Sequence, residues 1–251
     1  MDLKEFSVGL YSLGGKERNK MGNVYAVSDI HGDWKIWTAL KNFIQPDDTV
    51  YVLGDCADRG DRGWDIIKEV LADPRFIYLK GNHEDMLVKA VRSTAVNGFN
   101  SSDARLLYQN GGRATLYDWA ADTKENQKLI NDIANLPCYE VYMNENRQYI
   151  YLTHAGLTPW EPLSNYTEEE LLWDRIHYTL ASWPYGVNDI VVIHGHTPCM
   201  YIAEDRDIED YEVDKALWYC DGRKCCIDNC TILNKAAILL NLDTFEEHLI
   251  K

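Results

Sequence analysis

Seven side chains able to hold a metal ion or move a proton sit just after short apolar runs. Asp29 and His31 follow residues 24–28, Asp55 follows 49–53, and Asn82 and His83 follow 76–79. His154 follows 148–153, and His196 follows 189–193. Carboxylate, imidazole and amide oxygen, with no thiolate among them, suit Mn²⁺, Fe or Zn²⁺ in a hydrolytic role. A carboxylate has two oxygens, so Asp55 is the candidate to bridge a pair of ions. Two ions about 3.5–4 Å apart can hold an attacking oxygen and a phosphoryl group for in-line displacement. Asp29 and His31 are two residues apart, and in extended chain they would point to one side. They are therefore expected to reach one ion together.

These residues must be positioned by the elements around them. The apolar runs at 24–28, 49–53 and 76–79 read as buried strands. Each is followed by a segment of helical spacing: 33–43 (with Trp34, Ile36, Trp37, Leu40 and Phe43), 64–71 and 85–96. Strand, loop and helix in repetition predict an α/β fold with parallel strands. In such a sheet the crevice lies beyond the carboxyl ends of the strands, where residues distant in the chain converge. Residues 101–135 are expected to be helical around an Asn110-Gly111-Gly112 breaker, which is either a plain helix break or a turn beside substrate. A helix is expected at 168–180, and strand or buried character at 235–242. No repeat or linker divides the chain. Residues 1–22 read as an N-terminal extension, and 23–251 as one catalytic domain.

Composition narrows the classes. At 251 residues with 46% hydrophobic content, the chain can bury a large core and is not disordered. The net charge of -15 argues against gripping nucleic acid by a basic surface. No run approaches the roughly 18 apolar residues of a membrane helix. The start, Met1-Asp2-Leu3-Lys4-Glu5, has no secretory character, and seven cysteines make an odd number, so a cytoplasmic, reducing location is expected.

Five segments carry a resemblance: Asp29-Ile30-His31-Gly32, Gly54-Asp55-Cys56-Ala57-Asp58-Arg59-Gly60, Gly81-Asn82-His83-Glu84, His154-Ala155-Gly156 and Gly195-His196-Thr197-Pro198. In this order they resemble the motifs of the calcineurin-like metallophosphoesterases. The Gly-Asp-x-x-Asp-Arg-Gly form resembles the phosphoprotein phosphatase branch, and within it the small bacterial and phage serine/threonine phosphatases. The resemblance implies a β-sandwich of two mixed sheets flanked by helices, a four-layer arrangement. It implies Asp29, His31 and Asp55 around a first metal, and Asp55, Asn82, His154 and His196 around a second. It makes His83 the general acid, oriented by Asp58, and Arg59, Arg175 and Asn82 the phosphate-binding groups. Two divalent ions are implied, with Mn²⁺ the expected ion and Fe or Zn²⁺ the alternatives. The implied activity is attack by a metal-bridging hydroxide on a phosphomonoester. The substrate is then a phosphoprotein or a small phosphorylated molecule. A symmetrical diadenosine tetraphosphatase shares these motifs and is the alternative.

Other notable residues have plainer readings. His194 is expected as a packed or hydrogen-bonded strand end, and His177 and His248 as surface or helix residues. Cys220, Cys225, Cys226 and Cys230 lack the paired spacing of a zinc knuckle, and Cys226 onward fits in or beside a strand. Asp228-Asn229-Cys230 stands where the family often has Asp-Thr-Gly. Residues 204–212 read as a solvated acidic loop. Trp34 and Trp37 fit a buried helix face, and Trp160 is either core or cleft lining.

Overall fold

The computed structural model describes residues 22–121, 123–180 and 189–251. The expected N-terminal extension lies outside the described residues, apart from Gly22. The first half runs β1 (Val24–Val27), α1 (Trp34–Phe43), β2 (Thr49–Val52), α2 (Gly63–Ala72), β3 (Phe76–Tyr78) and α3 (Asn82–Asn97), then α4 (Ser102–Gln109), α5 (Arg113–Ala121) and α6 (Thr123–Ala134). The second half runs β4 (Tyr139–Met143), β5 (Tyr149–Thr153), α7 (Glu168–Trp173), β6 (Ile190–His194) and α8 (Cys199–Asp205). It closes with β7 (Leu217–Tyr219), β8 (Lys224–Cys226), α9 (Thr231–Asn234), β9 (Ala237–Asn241) and β10 (Glu247–Ile250).

The strands form two five-stranded mixed sheets, ordered β10-β9-β1-β2-β3 and β4-β5-β6-β8-β7. In the first, β1, β2 and β3 are parallel, and β9 and β10 extend the edge antiparallel. In the second, β5, β6 and β8 are parallel. Both faces of β1 are buried, so it reads as an unbroken apolar run. Its side chains still alternate: Val24 and Ala26 join Ile150, Leu152, Val191 and Ile193 between the sheets. Tyr25 and Val27 face the other way, onto Ile36, Trp37, Leu40, Ile66 and Ile67 of α1 and α2. Beyond the second sheet, Tyr151 and Val192 pack on Leu163 and Leu171. The result is helix, sheet, sheet, helix. Each fully buried aliphatic side chain contributes roughly 1.5–3 kcal/mol to this layered core.

Helix ends follow local chemistry. Asp33 caps α1 by accepting from the amides of Lys35 (3.1 Å) and Ile36 (3.3 Å), an arrangement worth about 1 kcal/mol. The 101–135 region is indeed helical and breaks at Asn110-Gly111-Gly112. Three expectations need correction. The helix expected at 168–180 stops at Trp173, because Asp174 Oδ1 accepts the Ile176 amide (2.7 Å) and turns the chain. The segment then dives inward, so His177 is 2% exposed rather than on the surface. His248 lies in β10, half-buried, with its ring against Tyr25 and Phe43.

The cysteines separate by strand alternation: Cys225 faces the core between the sheets and Cys226 the outer layer. Cys230 adopts φ +53, a conformation that glycine takes freely, and its amide donates to Asp228 Oδ1 (2.8 Å). Residues 204–212 are mostly exposed, and Trp160 is half exposed. No helix among the described residues is long and apolar enough to cross a membrane.

Candidate functional site

The loops after β1, β2 and β3 are laced together by their backbones. The amides of His31 and Gly32 donate to the carbonyls of Asp55 and Cys56, both at 2.9 Å. Gly54 has φ +88, and a Cβ there would lie 2.5 Å from Gly81 Cα, so only glycine lets the second and third loops meet. Asp29, His31, Asp55, Asp58, Arg59 and His196 all adopt positive φ without being glycine. Such strain persists only where the surroundings impose it, and these six are among fourteen such residues described. This also corrects the extended-chain argument. Asp29 and His31 do converge, but through left-handed turns at φ +53 and +49, not by strand alternation.

Asn82 and His83 form the first turn of α3, whose N-terminus therefore points at the site. Its partial positive charge favours anions there. The His83 amide donates to Asp55 Oδ1 (3.0 Å). The helix starts three residues earlier than its apolar spacing suggests because Glu84 folds back onto the Gly81 amide (2.9 Å).

Glu84 is the residue whose role sequence reasoning missed. It is fully buried. Oε2 accepts from the amides of Asp55 (2.7 Å) and Gly81, and Oε1 from those of Cys56 (3.0 Å) and Ala57 (3.2 Å). Four backbone donors on one carboxylate fix the loop that carries Asp55 and Asp58. The available signal was a Gly-x-x-Glu spacing at a helix start, the pattern of a capping box.

Around Asp55 the donor atoms fall into two groups, His31 with Asp55 and His83, and Asp55 with His154 and His196. Asp55 Oδ2 lies 3.8 Å from both His31 Nε2 and His83 Nε2, and Oδ1 lies 3.5 Å from His154 Nε2. Asp29 Oδ1 lies 3.8 Å from His31 Nε2. The other Asp29 oxygen accepts from Ser28 Oγ and from the His196 amide (3.0 Å). Asn82 Oδ1 faces His154 Nε2 (2.8 Å) and His196 Nδ1 (3.0 Å).

Proton positions test whether these groups suit a cation. His154 Nδ1 contacts the Leu53 carbonyl (2.7 Å) and His31 Nδ1 the Ala57 carbonyl (3.1 Å). A carbonyl only accepts, so both Nδ1 atoms carry the proton and both Nε2 atoms present lone pairs. His154 Nε2 then faces an amide oxygen, and His31 Nε2 faces two carboxyl groups, and neither nitrogen carries a proton. Asp29 Oδ1 and His196 Nε2 are buried without a hydrogen-bond partner. Lone pairs facing one another in a buried space are repulsive until a cation enters, and the backbone carbonyls hold the imidazoles in the tautomer that a metal requires. The residues present therefore fit divalent metal ions.

The charges agree. Burial, with Glu84 and Asp29 nearby, pushes the Asp55 carboxyl well above its usual range. Burial also pushes His31 and His196 down, so both imidazoles are neutral and have a lone pair to offer. A bound cation would hold Asp55 ionised.

Beside this cluster, His83 Nδ1 donates to Asp58 Oδ2 (2.8 Å), and Arg59 Nη2 donates to His83 Nε2 (3.2 Å). Burial and then Arg59 bring His83 down to about 3, and burial lifts Asp58 to about 7. The Arg59 amide donates to the Gly111 carbonyl (3.1 Å), which places the Asn-Gly-Gly turn against the Asp58–Arg59 loop. Arg175 is exposed at the rim, but its charge is among those that depress His196. His194 turns away, with Nε2 on Tyr219 Oη (2.7 Å) and Nδ1 on the Gly195 carbonyl (3.0 Å).

The calcineurin-like phosphoesterase family model matches residues 22–220, a span that includes every residue of this cluster. The chain belongs to the calcineurin-like phosphoesterases. This phosphoesterase is a hydrolase. It is 28% identical over 187 residues to serine/threonine-protein phosphatase 2 of Escherichia coli K12, covering 69% of this chain and 79% of that protein. It is 25% identical over 144 residues to the symmetrical bis(5'-nucleosyl)-tetraphosphatase of Buchnera aphidicola, covering 55% of this chain and 46% of that one. Its fold is similar to a solved structure provisionally named a diadenosine tetraphosphatase, with a TM-score of 0.61, 16% identity, and coverage of 92% and 94% of the two chains. It is also similar to a Saccharomyces cerevisiae protein serine/threonine phosphatase, with a TM-score of 0.54, 14% identity, and coverage of 90% and 74%. At such identities the structural likenesses speak for the fold alone.

Proposed function

We propose that this phosphoesterase is a dinuclear metal-dependent phosphomonoesterase acting on phosphoserine and phosphothreonine proteins. The observation that carries the proposal is Asp55, shared between two groups of buried ligand atoms, with Asp29 Oδ1 and His196 Nε2 buried there without a hydrogen-bond partner. Asp29, His31 and Asp55 would hold one divalent ion, and Asp55, Asn82, His154 and His196 a second; the donor set suits Mn²⁺, Fe or Zn²⁺, and Mn²⁺ is preferred by the resemblance to the phosphoprotein phosphatases. Bound there, the ions supply a water activated at neutral pH and neutralise charge on the phosphoryl group.

The chain's own residues do the rest. Arg59 and Arg175 offer planar forks that match two phosphate oxygens. Asn82, with Oδ1 turned inward, has its amide Nδ2 left to donate. In the free enzyme burial keeps the His83 imidazole neutral, and Arg59, which occupies Nε2, adds to this. A phosphate that draws Arg59 to itself frees Nε2, and its negative charge favours protonation there. Asp58 holds Nδ1, so Nε2 aims one proton at the leaving oxygen. An alkoxide leaves poorly, and this proton contributes about 10²–10⁴-fold. The products are an alcohol and inorganic phosphate.

The phosphoprotein reading is supported by the Escherichia coli relative, which this chain matches over more of its length than it does the Buchnera relative. The test is a substrate panel on metal-stripped protein refilled with Mn²⁺, Fe or Zn²⁺. The expected result is turnover of phosphoserine and phosphothreonine peptides, fastest with Mn²⁺. Diadenosine tetraphosphate cleaved much faster than any phosphopeptide would replace this substrate assignment with the dinucleotide one.

A further inference from the structure

Behind the site lies a second buried polar cluster that the proposed chemistry does not use. Lys224, in β8, is 1% exposed. Its Nζ donates to Thr158 Oγ1 (2.6 Å) and to the His177 carbonyl (2.7 Å), and lies 3.4 Å from His177 Nδ1. A buried ammonium is costly unless it is well bonded, and these partners are all neutral. Burial brings it down to about 8, so it remains charged at neutral pH.

Each partner belongs to a segment that reaches the site. Thr158 ends the loop that begins at His154. His177 is two residues beyond Arg175, on the stretch that Asp174 turns inward. The His177 imidazole lies over Gly156, where an added Cβ would come within 2.4 Å of its Cε1, and its ring meets His194 edge-on at 4.7 Å. Tyr178 and Leu180 have holds of their own, through Arg206 and the Tyr178–Asp205 hydrogen bond, but without the ammonium the His177 carbonyl, the contact of the segment nearest Arg175 with β8, would lose its short donor.

We propose that Lys224 is a positioning residue which, through His177 and Thr158, holds the 174–180 segment so that Arg175 addresses the substrate phosphate. The inference rests on the reading of Arg175 as a phosphate-binding group. It predicts that Lys224 and Arg175 act as one unit.

The test uses the full Mn²⁺-loaded chain with p-nitrophenyl phosphate as substrate and inorganic phosphate as competitive inhibitor. Arg175→Ala should lower kcat/KM by about 10²-fold and weaken phosphate inhibition. Lys224→Met should lower kcat/KM by about tenfold and weaken phosphate inhibition as well. The double variant should be no worse than Arg175→Ala alone, since contacts that work through one group are not additive. Lys224→Gln, which keeps an N–H donor, should recover most of the loss. If Lys224→Met does not fold, Thr158→Val removes one acceptor, keeps the lysine, and should show the same non-additivity at about threefold. Losses that multiply in the double variant, or full activity in Lys224→Met, would overturn the role of Lys224. An Arg175→Ala enzyme with unchanged activity and phosphate inhibition would overturn the Arg175 reading itself.

Discussion

Two buried polar clusters sit back to back across the His154–Thr158 loop, and they differ in one respect. The cluster around Asp55 is unsatisfied: Asp29 Oδ1 and His196 Nε2 have no partner, and imidazole lone pairs face oxygens. The Lys224 ammonium is satisfied by a hydroxyl and a carbonyl and keeps its charge at neutral pH, while His177 Nε2 beside it has no hydrogen-bond partner. Burying either costs several kcal/mol. The first is relieved only by something that enters from outside. The second is relieved from within, at the moment of folding.

The largest effect should come from Asp55→Asn. It removes the one carboxylate common to both donor groups, so activity should fall by at least about 10³-fold, the several kcal/mol that metal charge supplies. An Asp55→Asn enzyme that keeps its turnover at saturating Mn²⁺ would break the contrast between the clusters.

His83→Asn should spare metal content but slow alkyl phosphates by about 10²–10³-fold. Aryl phosphates, whose leaving groups need little protonation, should slow far less. Equal slowing of both classes, in steady-state kinetics across a leaving-group series, would remove His83 from the acid role.

Glu84→Gln keeps the shape but loses the charge that four amides converge on. It should destabilise the fold by about 3 kcal/mol, read from urea unfolding. A shift near zero would mean that the Asp55 loop is held by other contacts.

The pH dependence of the metal-free protein sharpens the comparison further. Burial depresses His31, His83, His177, His194 and His196, so the folded state refuses five protons that the unfolded chain accepts below about 6.5. Burial raises Asp55, Asp58 and Asp228, which gives back up to three protons as pH falls. The surplus favours the unfolded chain. Stability is therefore present near pH 7 and lost on acidification below about pH 6, with a slope that steepens to about 2 kcal/mol per pH unit near pH 5. Urea midpoints at pH 7, 6 and 5 check this, and a flat profile would contradict it.

Much of this was legible in the sequence, and the exceptions share a cause. The strand–loop–helix rhythm of residues 24–97 announces itself because helices cover its parallel strands and each turn is short. The polar residues at those strand ends could therefore be placed on one rim. The strands β4, β7 and β10 were not anticipated, since they lie at sheet edges with mixed exposure, and of β8 only its end at Cys226 was. The left-handed turns at Asp29 and His31 follow from pairing with the Asp55 loop, which is a tertiary fact. His177 looked like a helix residue until Asp174 ended the helix. Lys224 is the extreme case: a lysine reads as surface by its type, and only the carbonyl and hydroxyl brought from elsewhere in the chain make its burial tolerable.

The most direct measurement counts ions. Metal-stripped protein saturated with Mn²⁺ and freed of excess should hold two equivalents per chain, with anomalous scattering placing both against Asp55. A folded sample that takes up one equivalent or none, or binds its ions away from Asp55, would contradict the account at its centre.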